Sequence, residues 1–266
     1  MAGSGERGVA ARIVGGVLPP LLFGVVFLVG WELAVNVFDW KPYFLPKPSR
    51  IWDEFTDNFA QIRKAAAVSG TNALIGLIAG TVLGVAVSFV LMRFRLLNDM
   101  ITPLAVALNA IPIFVLVAVF NNMFALTSEV PRRLMATLVV YFIVLVNVAR
   151  GLREVSPTHL ELLRSYAARP SQILVKARVP NAVPYLFTAL KIAAPAAVIT
   201  AFVAEYFGGA QNGLGTRITS NLTANTAAAW AYVLGACLLG LTFYRVSILL
   251  ENINTRWGVS PGGGTT

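Results

Sequence analysis

Charge is what this sequence is short of. Of its 266 residues only 12% are Asp, Glu, Lys or Arg, while 57% are hydrophobic; a soluble domain carries about 25% charged residues. So little charge leaves too little polar surface to cover a chain folded in water. Cysteine and histidine are nearly missing as well, with Cys237 and His159 the sole examples. One cysteine inside an apolar run excludes a disulfide framework or a multi-cysteine metal site within the chain, and it reads as a small apolar residue. One histidine in a polar loop reads as a solvated side chain, and no His/Glu pair has metal-ligand spacing. No Gly-x-x-x-x-Gly-Lys-Ser/Thr stretch occurs, so the chain has no P-loop of its own. The glycines of Gly208–Gly215 lack the following Lys-Ser/Thr and read as a loop folded back on itself. No residue is assigned to catalysis or to a metal, and the chain reads as non-enzymatic.

What is present is a series of long apolar runs, with a mean hydropathy of +0.72. Spanning hydrocarbon takes about 20 mostly apolar residues in a helix. Six runs approach or exceed that length, near 13–38, 68–92, 100–124, 134–148, 182–207 and 228–250. The predicted fold is therefore all-α, an integral membrane protein with about six transmembrane helices. A polar tail, 1–12, precedes an uncleaved first helix, and Pro19-Pro20 fall near its start, where a missing amide donor costs least. Residues 13–250 form the membrane domain and 251–266 a second tail. Between the first two runs, prolines in Lys41–Pro48 predict an extended stretch, and Ser49 is placed to cap an amphipathic surface helix over about 49–64. Ile51, Trp52, Phe55 and Phe59 share one side of it. Gly76, Gly80 and Gly84 recur every fourth residue, a groove that lets another helix backbone approach closely.

The net charge of +9 sits mostly in short loops, which points to membrane orientation and not to a nucleic-acid partner. With both termini cytoplasmic, twelve basic residues fall on the cytoplasmic side and eight outside, favouring that orientation. Arg132 and Arg133 are outside on this count and have no explanation in the sequence.

The longest polar stretch inside the apolar part is 150–181. It reads as a short amphipathic helix, a turn, and a second helix entering the membrane. Leu160, Leu163 and Ala167 fall on one face, with Glu161 and Arg164 at polar positions. Two physical readings stand side by side: a docking surface for a soluble partner, or a helix lying on lipid headgroups held by its arginines.

Here the sequence resembles a known family, the permeases of binding-protein-dependent ABC importers. Their cytoplasmic loop reads Glu-Ala-Ala, then Gly, then a closing Leu-Pro pair. Glu161 matches the acid and Pro180 the closing proline, within Val179-Pro180-Asn181-Ala182-Val183-Pro184. Leu162 and Leu163 replace the alanines, and Ala167 replaces the glycine, which shifts the expected turn to Pro170 and its extended neighbour Arg169. Phe44-Leu45-Pro46-Lys47-Pro48-Ser49, Asn147 to Val155, and Gly208 to Gly215 ending in Gly-Leu-Gly resemble further ordered segments of the family. The branch it resembles transports nitrate, taurine, sulfonates and thiamin-pyrimidine precursors. Leu162 to Ser165 and Phe187 to Ala194 lean toward the vitamin precursors.

The resemblance implies a type I ABC importer permease fold in the cell inner membrane, pairing with a second copy of itself. Two ATP-binding-cassette subunits would bind ATP and Mg and dock at Leu160, Glu161, Leu163, Arg164, Ala167 and Arg169. An extracytoplasmic binding protein would deliver the solute, and lipid would surround the assembly. Charge inside a membrane span is costly and marks candidates for the pathway. These are Glu205, near a helix end where it can reach water, and Lys191, with Asn109 and Asn147 beside them. Glu205 and Lys191 are fourteen positions apart (205 − 191), nearly four turns, so they are not expected to pair. Glu32 is expected at an interface or helix end. The alternative is a secondary transporter or channel working without ATPases.

Overall fold

The structure is a computed structural model that describes residues 4–94, 111–124, 128–208 and 212–255, with side chains from residue 18 to 253 within those ranges. Among the described residues all regular structure is helical, and five helices are long and apolar enough to cross a membrane. The expected third span, 100–124, lies outside the described residues up to 110. Its described part forms the shorter apolar helix α4, Ile113–Met123.

The first helix, α1, is Ser4–Val37, so Pro19 and Pro20 fall inside it and not in its first turn as expected. The surface helix is shorter than the predicted 49–64: α2 is Pro48–Asp57, and α3 already begins at Phe59 and runs to Arg93. Asn58 makes the break. Its amide donates to the Glu54 carbonyl at 3.0 Å and to the Glu54 carboxylate at 2.9 Å, a local bond that competes with continued helix. Ile51 and Phe55 are buried, but Trp52 and Phe59 point outward. Ser49 does not cap α2. Its amide and hydroxyl both donate to the Glu32 carboxylate, at 3.1 and 2.8 Å, so an acid on α1 satisfies the first turn of α2.

The centre is built by α3, α5 (Val130–Arg153) and a long return helix. The return starts as α7, Pro170–Ile173, passes through a π-helical turn at Leu174–Arg178, and continues as α8, Val179–Tyr206, with Pro184 and Pro195 inside it. Gly76, Gly80 and Gly84 are buried against α5. A Cβ on Gly80 would stand 2.6 Å from the Thr137 carbonyl and 2.7 Å from the Val140 Cβ, and one on Gly84 would stand 2.9 Å from both the Tyr141 carbonyl and the Val144 Cβ. Facing them, Ala136, Val140, Val144, Val148 and Leu152 bury one stripe of α5, and Ala189, Ala193, Ala197 and Ala201 bury one stripe of α8. The short helix α9 (Leu214–Asn221) packs back against α3, α8 and the last helix, α10 (Thr226–Thr255). That last helix passes the expected boundary at 250.

Gly80→Val is expected to lower the thermal midpoint of the detergent-solubilised protein, since overpacking of this kind costs about 1–3 kcal/mol. Gly240→Ala, where a Cβ meets nothing within 4 Å, is the control and should not lower the midpoint, since alanine favours helix over glycine. Equal behaviour of the two variants would remove the groove from the packing argument.

Candidate functional site

Between α5 and the return helix the chain makes an elbow. Its helix, α6, is Pro157–Ser165, opened by proline at its first position, with no residue buried. Leu160 and Leu163 are half-buried, whereas Glu161 and Arg164 are exposed. The most exposed large apolar groups are Leu162, at 52%, and Tyr166, at 77%, neither of which the sequence reading placed at the docking surface.

Ala167 is not on the helical face, as its spacing suggested; it lies just past the end of α6. Its φ is +54°, in the left-handed region. The Ala167 amide donates to the Arg164 carbonyl at 2.9 Å and the Ala168 amide to the Leu163 carbonyl at 3.0 Å, the double closure of a glycine-type helix end. The turn expected at Pro170 is thus made at Ala167, three residues earlier. Arg169 is extended, and its amide donates to the Gln172 side chain at 2.8 Å, which starts the return helix.

The elbow stands on a clamp. The last carbonyls of α5 would lack partners, but residues of the return helix supply them. Asn181 donates to the Gly151 carbonyl at 2.7 Å and to the Glu154 carbonyl at 3.3 Å, and Arg178 donates to the Leu152 carbonyl at 3.0 Å. The Tyr185 ring fills the place of a side chain at Gly151, where a Cβ would stand 2.8 Å from it. Glu154, just beyond α5, accepts from Arg150 and from the Tyr185 hydroxyl, both at 2.8 Å. Those two bonds, Arg150 first, hold its carboxyl below the usual carboxylate range.

A polar cluster occupies the opposite end of α5 and α8. Arg132 is 1% exposed. It donates to the Ser128 carbonyl at 2.8 Å, to the Glu129 carboxylate at 3.2 Å and to the Gly208 carbonyl at 3.5 Å. Arg133 donates to the Asn72 side-chain oxygen at 3.0 Å, and the Asn72 amide donates to Glu129 at 2.6 Å. These arginines are therefore structural groups, held by Glu129, by Asn72 of α3 and by chain carbonyls, and not loose loop charges.

Glu205 does not reach water: it is 1% exposed, enclosed between α3, α8 and the start of α9. Lys191 is paired, with Glu251 on α10 at 2.8 Å. Asn147 is half-buried and donates to the Ile143 carbonyl of its own helix at 2.8 Å. Asn109 lies outside the described residues. The pathway candidates are thus not gathered into one site; Lys191, Glu205 and Asn147 each serve a separate contact.

Among the described residues, five membrane-length helices, two of them joined through an exposed polar elbow, make an all-helical integral-membrane bundle. The profile of the family described as "Binding-protein-dependent transport system inner membrane component" matches residues 74–258, and the chain belongs to that family. It is 30% identical over 247 residues to the formylaminopyrimidine transport permease protein ThiX of Halalkalibacterium halodurans, covering 90% of this chain and 96% of that one. A probable ABC transporter permease protein of Haemophilus influenzae is 27% identical over 198 residues, 74% of this chain and 80% of the relative. The bicarbonate transport system permease protein CmpB of Synechocystis is 24% identical over 218 residues, 72% and 71% of the two chains. Among solved structures, an inward-facing form of the MetNI methionine ABC transporter superposes with a TM-score of 0.62 at 18% identity, over 74% of this chain and 98% of that one. The fold is that of a type I ABC importer permease, and the chain is a multi-pass inner-membrane permease subunit of an ABC importer.

An alanine in the left-handed region carries a penalty of roughly 1–2 kcal/mol that glycine lacks. Ala167→Gly is therefore expected to stabilise the elbow, slowing hydrogen exchange of the Ala168 amide by about fivefold or more. Faster exchange in that variant would show that the turn is not held by this geometry.

Proposed function

We propose that two copies of this chain form the translocation pathway of an importer, and that each copy's elbow seats in a cleft of a separate ATP-binding-cassette subunit. ATP and its magnesium are bound by that partner. The observation that carries the reading is the elbow: α6 leaves apolar side chains exposed and yet stands on a clamp of side-chain hydrogen bonds to the end of α5. The docking set is Leu160, Glu161, Leu163, Arg164, Ala167 and Arg169, joined by Leu162 and Tyr166, which have the larger exposed area. Exposed Glu161 pairs with a basic group of the ATPase, and Tyr166 is the aromatic anchor.

The elbow faces the cytoplasm, both termini lie on that side, and an extracytoplasmic binding protein delivers solute to the other. The excess of basic residues on the elbow side supports this orientation. It is strengthened now that Arg132 and Arg133 are occupied by internal contacts. The solute is a small organic molecule of the thiamin-pyrimidine-precursor kind. The similarity to a formylaminopyrimidine permease supports that choice.

Glu161→Lys and Tyr166→Ala are each expected to reduce co-purification of the ATPase, the latter by about tenfold or more if it acts as an aromatic hot spot. Undiminished assembly in both would remove the elbow from docking. In a Cys237→Ser background, Ser165→Cys should react with an impermeant thiol reagent only from the cytoplasmic side; labelling from the periplasm would reverse the orientation. With its binding protein, the complete transporter in proteoliposomes should accumulate formylaminopyrimidine when ATP is enclosed on the elbow side. Absence of uptake by an assembled, ATP-hydrolysing complex would refute the solute and leave the docking intact.

A further inference from the structure

Glu205 is walled in by three elements. The Ser69 hydroxyl of α3 donates to its Oε2 at 2.6 Å, and the Gly215 amide of α9 donates to the same oxygen at 3.1 Å. Ser69 is used twice, since its oxygen accepts from the Leu214 amide at 2.9 Å. Ser69, Gly213, Leu214 and Gly215 are all buried. Gly213 leans on the carboxylate so closely that a Cβ there would collide with it, and a Cβ on Gly215 would stand 2.7 Å from the Tyr206 amide and 2.8 Å from the Glu205 Cβ. The Gly-Leu-Gly loop is glycine at both ends because a carboxylate and a helix backbone occupy the side-chain positions. Beside it, Arg132 ties the start of α5 to the Gly208 carbonyl at the end of α8, and Asn72 with Arg133 ties α3 to α5.

We propose that Glu205 is a positioning residue for transport: it fastens the segment Gly213–Asn221 to α3 and α8, so that this segment moves with the helices the elbow drives. The proposal rests on the docking reading above. Its geometric basis is continuous. The elbow is clamped to α5 and α8 at one end, and those helices pack along the alanine stripe of α8. At the other end of α8, Glu205 holds α9. The carboxylate acts through hydrogen bonds and not as a charge offered to solute, since it is shielded from every open surface. Glutamine can reproduce both accepted bonds through its carbonyl oxygen; alanine can reproduce neither.

The test uses the complete transporter in a Cys237→Ser background, spin-labelled at Ser220 on α9 and Ile199 on α8. With labelled chains diluted by unlabelled ones, the wild-type residue at 205 and Glu205→Gln should both give one narrow within-chain distance, kept on adding ATP and vanadate. Glu205→Ala should broaden it. Glu205→Ala should also leave ATPase assembly and basal ATP hydrolysis intact, while stimulation of hydrolysis by the purified binding protein falls by about fivefold or more, the scale of a lost buried hydrogen-bonded contact. Glu205→Gln should retain the stimulation. Gly213→Ala, which pushes against the carboxylate from the other side, should broaden the distance too, and it carries the test if Glu205→Ala does not fold. A narrow, wild-type distance in Glu205→Ala and Gly213→Ala would overturn the proposal, as would Glu205→Gln behaving like alanine. Failure of docking shows itself separately, as loss of the ATPase from the complex carrying Glu205.

Discussion

Everything in this bundle hangs on how closely three backbones approach. Lipid chains are as apolar as leucine, so a membrane helix gains little by exchanging lipid for protein unless it packs closely or forms hydrogen bonds. Gly76, Gly80 and Gly84 let α3 lie directly on Ala136, Val140 and Val144 of α5, and the alanines of α8 complete the contact from the other side. Larger side chains at these positions would push the axes apart and forfeit dispersion contacts along the whole interface. Set at that distance, α3, α5 and α8 bring their ends close enough for polar side chains to bridge them.

Those bridges lie near both ends of α5, for a reason of backbone chemistry. The middle of a helix satisfies its own amides and carbonyls, but its ends do not. At the elbow, Asn181 and Arg178 supply donors to the final carbonyls of α5. At the other end a carbonyl of the α8 terminus, Gly208, is met by Arg132. Within a low-dielectric surrounding such bonds are strong and an unpaired partner is costly, so each side chain specifies one geometry. Glu129 serves the same end: it takes one bond from Asn72 and one from Arg132, which makes the buried guanidinium tolerable.

Much of this was legible in the sequence. Hydropathy located the spans, because lipid imposes length and composition directly, and the glycine spacing marked the face that α3 presents to α5. The same spacing runs through Ala189, Ala193, Ala197 and Ala201, a signal that was present and passed over because alanine is common everywhere. The alanine at 167 hides the turn, because the sequence offers no glycine there, yet the backbone makes a left-handed turn and bears its strain. Other contacts left no local trace. Ser69 and Glu205 are 136 positions apart and Lys191 and Glu251 are 60 apart. Which polar residues meet depends on the rotation of each helix about its axis, and periodicity cannot set that for two helices at once. The position of Glu205 at a helix end suggests water, and what covers it, Gly213 to Gly215, lies beyond that end in the sequence.

The unequal burial of the helices says which of them can carry force. In their most apolar stretches α5 is 44% buried and the return helix 39%, against 6% for α1 and 11% for α10. A helix with few contacts inside its own chain passes little of a displacement on to the rest of that chain. The side-chain tie from α1 to α2 is the Glu32–Ser49 bond, and Trp31 meets Trp230 of α10 edge-on at 5.5 Å; both lie toward one end and leave most of α1 uncommitted. The α5 and return-helix pair is the opposite case. It is interdigitated along its length, joined covalently through the elbow and clamped there by hydrogen bonds to carbonyls. A push on α6 therefore has a stiff route to Arg132 and Glu205, and α9 is the first element there that such a push could swing.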